Sequence, residues 1–174
     1  MMLINLSDVL SEQHKPIDEE IVFPITHFRA VFGEFKVCAE KSVHIKVTYI
    51  EEKRYLLEAE TEFFIEIPCN RCLEMVNKKF QLAFTKNIDF ADPEGLDGSD
   101  ETSYIDGYNL DATQLLYNEI LIEWPDKVLC NEDCKGICSV CGQNRNNSSC
   151  NCLDTGLGPR MSIVYDIFKN FKEV

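Results

Sequence analysis

Cysteine is the residue type whose spacing here specifies chemistry most directly. Cys138-Ser139-Val140-Cys141-Gly142 has the spacing that lets two sulfurs grip one metal from a tight turn, and a Gly directly after the second Cys suits a backbone that needs φ > 0. A polar loop, Gln143 to Ser149, returns the chain to Cys150 and Cys152. Those four thiolates suffice for one tetrahedral Zn²⁺, although Cys-x-Cys is a less usual second half than Cys-x-x-Cys. A second Cys-x-x-Cys, Cys69-Asn70-Arg71-Cys72, falls in a break between two strand-like runs. At a hairpin tip it makes a knuckle whose backbone N–H groups point at the sulfurs and lower their pKa. It needs two more ligands, and Cys130 and Cys134 are left unused by the tail quartet. Two structural Zn²⁺ sites are therefore expected: Cys69, Cys72, Cys130 and Cys134 in one, Cys138, Cys141, Cys150 and Cys152 in the other.

The chain has 174 residues and nine cysteines. It begins Met1-Met2-Leu3-Ile4-Asn5-Leu6 without a cationic leader or an apolar h-region, so the expectation is no secretory signal and thiols that stay reduced, which favours metal over disulfides. The competing arrangement is four disulfides plus one free thiol. The odd cysteine, Cys38, sits in a strand-like stretch and reads as a lone buried thiol. A redox use of Cys69 and Cys72 lacks the βαβ context of thioredoxin-like proteins.

Hydrophobic residues make up 45% of the chain, enough for a folded core. The net charge is −13, which disfavours general binding to nucleic-acid phosphates and favours a basic partner. No apolar run is long enough for a membrane span.

The elements that must position the thiols follow from periodicity. Residues 1–20 read as a short element, with one or two helical turns at Ser7-Asp8-Val9-Leu10; Ile21 to Phe28 is an edge strand at best because of Pro24. From Ala30 to Asp89 the period is two. Val43, Ile45, Val47 and Tyr49 alternate with polar residues, then a turn falls at Glu51-Glu52-Lys53. Tyr55, Leu57, Ala59, Phe63, Ile65 and Ile67 alternate with Glu58, Glu60, Glu62 and Glu66, and Val76, Phe80, Leu82, Phe84, Ile88 and Phe90 share one face. An acidic loop at 91–108 precedes a helix at 111–123, introduced by a capping-box pattern at Asp111–Gln114 and ended by Trp124-Pro125. Its stripe, Leu115, Leu116, Ile120 and Leu121, reads as core. A terminal helix carries Ile163, Val164, Ile167, Phe168 and Phe171 at helical spacing, with core packing the default. The fold class is α+β: an antiparallel β meander with a few short helices and a cysteine-rich zinc-binding C-terminal region. A β-rich core spans 1–125 and the zinc-binding tail 126–174. Whether the sheet closes into a barrel-like form is left open.

No Gly-rich phosphate loop and no Gly-x-Ser-x-Gly elbow is present. His14, His27 and His44 lie in no motif. Zinc held by four cysteines has no open position for water, so the expectation is a non-enzymatic binding module without a small-molecule substrate. Such a site carries about −2, since the ion offsets two of four thiolate charges. Lys127, Lys135, Arg145 and Arg160 are opposed by Glu132, Asp133 and Asp154, so the tail is not a cationic surface for RNA.

In order, Cys69-Asn70-Arg71-Cys72-Leu73 after a hairpin strand, a helix ending in Pro, Leu129-Cys130, Cys134-Lys135-Gly136-Ile137-Cys138, Cys141-Gly142, Asn144 and Cys150-Asn151-Cys152 resemble the YceD-type proteins, which are associated with accumulation of large-subunit ribosomal RNA. Ile137 and Ser139 stand where that family favours Leu and Pro. Pro159-Arg160 matches the pair that introduces its final helix, while Gly158 replaces the usual Asp. Some members lack the tail quartet, consistent with a modular addition. The resemblance implies a cytoplasmic, non-enzymatic factor supporting synthesis, processing or stability of 23S ribosomal RNA. With the charge balance it suggests action through a basic protein partner, such as a ribosomal protein, at the acidic sheet face and the Asp92–Glu101 loop. The other class in play is a thiol-based redox or metal-handling protein.

Overall fold

The computed structural model describes residues 2–38, 42–90, 104–152, 161, 163, 164, 167 and 168. The chain divides into two compact units, Met1–Glu66 with Asn77–Asp126, and Ile67–Val76 with Lys127–Val174.

The first unit is mostly antiparallel sheet. Alternating apolar residues build β5 (Val43–Glu51) and β6 (Arg54–Pro68), which pair with Ile45 opposite Ala59 and Val47 opposite Leu57. β2 (Ile17–Ile21) pairs with β5, β3 (His27–Ala30) with β4 (Gly33–Cys38), and β4 with β6. β7 (Met75–Asp89) also pairs with β6. The order β2-β5-β6-β4-β3 leaves the sheet open, so it is not a closed barrel. Nor is it a plain meander, because β4 and β6 are neighbours although β5 lies between them in sequence. The edge strand expected from Ile21 onward instead ends at Ile21; Phe23 and Ile25 are buried without strand pairing around Pro24. The β5–β6 turn holds Glu52 and Lys53 at φ 43° and 64°, the sense that matches strand twist.

The buried face collects Phe28, Phe63, Ile45, Leu57, Ile65 and Ile88, each worth about 1.5–3 kcal/mol of burial. Trp124 gathers Phe28, Phe32 and Phe35 with ring centroids 4.9–5.1 Å away. The N-terminus contributes β1 (Leu3–Asn5) and α1 (Ser7–Leu10). β1 pairs with β9 (Asn109–Asp111), itself the return strand of a small hairpin from β8 (Ile105–Asp106). The expected acidic loop therefore ends in sheet; its residues 91–103 lie outside the described residues.

Helix α2 (Ala112–Ile122) starts at Asp111, whose Oδ1 accepts from the N–H groups of Thr113 and Gln114 at 2.9 and 3.3 Å. The second half of the expected capping box is not made, because the Gln114 amide donates to Asn118 instead. Leu115, Leu116 and Ile120 are fully buried, but Leu121 points outward at 39% exposure and Glu119 occupies the inner face. Its Oε1 meets the Lys86 ammonium at 2.6 Å, beside the rings of Tyr104 and Phe84. A carboxylate this enclosed persists because its counter-ion is fixed.

Met161, Ile163, Val164, Ile167 and Phe168 are helical and 39–68% exposed, so the terminal stripe is not covered as core packing requires. Phe171 and Pro159-Arg160 lie outside the described residues. Among the described residues no helix is long and apolar enough to cross a membrane.

Lys86→Met strands the Glu119 carboxylate and is expected to cost about 3 kcal/mol in denaturant unfolding. Lys86→Met with Glu119→Leu should recover most of that loss.

Candidate metal centres

The second unit is built around sulfur. β6 ends at Pro68 and β7 begins at Met75, so Cys69 and Cys72 occupy a hairpin tip. The tip folds as a knuckle: Arg71 N–H donates to Cys69 Sγ at 3.4 Å, and Leu73 N–H to the Cys69 carbonyl at 3.0 Å. Leu73 takes φ 64°, the left-handed region, to make that turn. The tail repeats the device with Val140 N–H on Cys138 Sγ at 3.4 Å and Gly142 N–H on the Cys138 carbonyl at 2.9 Å. There the left-handed residue is Gly142, φ 74°, as its place after Cys141 implied.

The tail comes to the tip through hydrogen bonds to both the main chain and the side chain of Asn70. Asn70 N–H donates to the Val128 carbonyl at 2.8 Å, and Val128 N–H to Asn70 Oδ1 at 2.7 Å. Arg71 carries its guanidinium to the Cys134 carbonyl at 2.8 Å, so this cation is spent on the tail backbone. Gly136 N–Cα passes so near that a Cβ there would meet the Arg71 carbonyl oxygen at 3.0 Å, and its φ is 70°.

All eight predicted ligands fall into the two expected quartets. The Sγ atoms of Cys69, Cys72, Cys130 and Cys134 lie within 4.8 Å of one another, as do those of Cys138, Cys141, Cys150 and Cys152. Tetrahedral zinc with bonds of about 2.3 Å sets its sulfurs about 3.8 Å apart. The Cys69–Cys134 and Cys72–Cys130 separations are 3.8 and 3.4 Å. A disulfide needs about 2.05 Å, and all nine cysteines are free, so the four-disulfide alternative is not the one formed. The ninth, Cys38, is half-buried on β4 and belongs to neither quartet. Cys69, Cys72 and Cys134 are buried with Val76 and Leu129 against them, while Cys130 faces solvent. In the second quartet Cys138 is buried and Cys141 exposed. The donor set fits a soft divalent ion, with four sulfurs converging and no fifth protein ligand required.

Electrostatics distinguish the sulfurs. Burial raises the Cys69 thiol, but the N–H groups of Cys72 and Arg71 outweigh it and bring it down to about 6. The Cys141 and Val140 N–H groups bring Cys138 down to about 6. The Asn146 side chain leads the groups that lower Cys134. The neighbouring sulfur of Cys72, then that of Cys134, pushes Cys130 up to about 12, and Cys141 does the same to Cys152, also about 12. Without an ion, each quartet thus mixes thiolates with sulfurs that keep their protons.

The polar loop between the tail pairs reaches back to the first quartet. Asn146 Nδ2 donates to Cys134 Sγ at 3.3 Å, and Asn144 and Asn147 donate to Glu74 Oε1 at 2.8 and 3.2 Å. Arg71, Glu74 and Asn146 are not among the clustered sulfurs and act through hydrogen bonds, so cysteine spacing did not mark them. The histidines stand elsewhere: His14 stacks on Tyr49 at 3.7 Å, His44 meets Asp18 at 2.6 Å, and His27 meets Thr26 at 3.2 Å.

A model of the family described as "Large ribosomal RNA subunit accumulation protein YceD" matches residues 57–169, well over half of the chain. The chain is a member of the YceD family. The match takes in both quartets and the hairpin tip. No curated protein and no solved structure matches the chain. YceD membership connects the chain to accumulation of large-subunit ribosomal RNA, and both cysteine clusters could hold a metal ion.

Metal analysis of the purified chain should give two ions, and one in either Cys69→Ser or Cys138→Ser. Loading must expel the protons held by Cys130 and Cys152, so affinity rises with pH. Below about pH 6, Cys69 and Cys138 also hold protons, and metal release should steepen there in a chelator titration. Leu73→Gly relieves the left-handed strain and should stabilise the metal-loaded chain by about 1 kcal/mol. Gly136→Ala should destabilise it by about 1–2 kcal/mol, both read from thermal unfolding.

Proposed function

We propose that this YceD-family chain is a non-enzymatic, cytoplasmic factor that holds two structural Zn²⁺ ions and supports synthesis, processing or stability of 23S ribosomal RNA by engaging a basic protein partner, such as a ribosomal protein. The family match carries the reading. Closed sulfur quartets support zinc in a structural role, because a catalytic zinc keeps a position for water.

Charge supports the choice of partner. With a net charge of −13, the chain repels phosphates at long range. On the outward face of β5 and β6, Glu58 is met by Lys46 at 3.7 Å, Glu62 by Lys79 at 2.8 Å and Glu66 by Lys36 at 3.4 Å. These exposed pairs are weak and exchangeable, each worth about 0–1 kcal/mol. Glu20 and Glu60 line the adjoining groove of about 610 Å³ together with Glu62, His44, Thr61 and Gln81. Lysine or arginine side chains of a partner can enter that groove and displace the internal lysines.

A thiol redox role is the second reading, favoured by the lowered thiols of Cys69 and Cys138. Their burial, 0% and 1% exposed, opposes it, because a reactive thiolate must be reached. Zinc-loaded chain should resist alkylation at both, whereas chelated chain should not.

The partner is tested by capture on the tagged chain with nuclease treatment. Retention of a basic protein after nuclease, reduced by Glu20→Lys with Glu60→Lys, is the expected result. Recovery of RNA with no basic protein would overturn the partner assignment and leave the family membership intact.

A further inference from the structure

The Asn146 carboxamide belongs to the loop of the tail quartet but makes its bonds at the other one. Its Oδ1 accepts from Lys135 N–H at 2.8 Å, and its Nδ2 donates to Cys134 Sγ at 3.3 Å. Lys135 N–H can only donate, which fixes the amide orientation and leaves the NH₂ group to the sulfur. Two further bonds shape the loop: Asn146 N–H donates to the side-chain Oδ1 of Asn144 at 2.9 Å, and Arg145 N–H to the Gly136 carbonyl at 2.8 Å. Cys138 N–H closes on the Gln143 carbonyl at 2.8 Å. Cys141 and Cys150 bracket this loop, so an ion on the tail quartet closes both of its ends.

Asn144 and Asn147 add a second link. Both donate to Glu74 Oε1, and the Glu74 carbonyl accepts Cys69 N–H at 2.8 Å. Two of the first quartet's cysteines are therefore supported by the tail quartet's loop, one at its sulfur and one through Glu74.

We propose that the two metal centres are thermodynamically coupled, with Asn146 the positioning residue through which a loaded tail quartet tightens the Cys69–Cys72–Cys130–Cys134 centre. A tetrathiolate site has about −2 to disperse, and a fixed N–H donor on one sulfur disperses part of it. With the tail quartet empty, the loop must be ordered at the moment the donor is used, so the first centre binds more weakly. By linkage, the first ion strengthens the second by the same factor. This rests on the metal reading above and adds a dependence between the sites that two independent quartets would lack.

Co²⁺ titration of the full metal-free chain, with chelator competition, tests it. In Cys150→Ser the first centre should hold Co²⁺ about 10–100-fold more weakly than in the unaltered chain. Measured beside Asn146→Ala, which adds no charge, Asn146→Asp keeps the acceptor for Lys135 N–H while it replaces the donor at Cys134 Sγ with a carboxylate oxygen. It should weaken the first centre on the same scale and move its thiolate-to-Co²⁺ charge-transfer band to lower energy. The tail centre, read alone in Cys69→Ser, should be unaffected by Asn146→Asp. Unchanged affinity and band at the first centre, or an equal loss at the tail centre, would overturn the coupling while leaving two metal sites. An unaltered chain that takes up no Co²⁺ would overturn both the coupling and the metal reading.

Discussion

Four thiols brought within 4.8 Å of one another cannot all ionise unless a cation sits among them. That constraint governs the second unit. Cys69 and Cys138 lose their protons easily because backbone N–H groups aim at them, and their neighbours Cys130 and Cys152 then keep theirs. A divalent ion among the sulfurs would resolve the conflict by taking each of them as thiolate. Little else could organise this part of the chain. Among its described residues between Lys127 and Cys152 there is no helix or strand, and an apolar cluster there consists of three of the cysteines with Val76 and Leu129. An ion bound in either quartet would add its binding free energy to the folding of this unit.

The two knuckles solve one backbone problem with different residues. Each closes a turn whose last residue lies in the left-handed region, Leu73 at φ 64° and Gly142 at φ 74°. Gly does this without strain, whereas Leu carries about 1–2 kcal/mol. The strain at Leu73 is tolerable because that knuckle is continuous with two 15-residue strands. The tail knuckle has no such support and uses the residue that needs none. Gly136 has a further reason to lack a side chain, since the Arg71 carbonyl occupies the space a Cβ would take.

Short-range patterns were legible in the sequence, and long-range pairings were not. Alternation marked Val43–Val47 and Tyr55–Ile67 because one face of each strand is buried, and cysteine spacing marked both quartets. Asp111 was legible as a helix start because an N-cap acts on residues two and three positions later. β1, β8 and β9 escaped notice, since strands of two or three residues leave no period to count. The Lys86–Glu119 pair joins residues from a strand and a helix, and nothing local to either announces it. Leu121 was misplaced for a related reason. The true inner face of α2 includes Glu119, a residue that apolar counting passes over. The same method assigned Ile163, Val164, Ile167 and Phe168 to a core, but periodicity says only that a face is apolar, not that anything covers it.

Sequence separation also sets an order for assembly. The tail quartet closes only a short segment, Cys138 to Cys152, whereas Cys69 and Cys134 are 65 residues apart. Loop-closure entropy grows with the length enclosed, so the tail quartet is the easier site to form first. The segment between Cys72 and Cys130 contains β7, the β8–β9 hairpin and helix α2. A first centre that closed after strand pairing had delivered Cys69 and Cys72 would meet Cys134 with Asn146 already beside it. In that order each step reduces the entropy cost of the next.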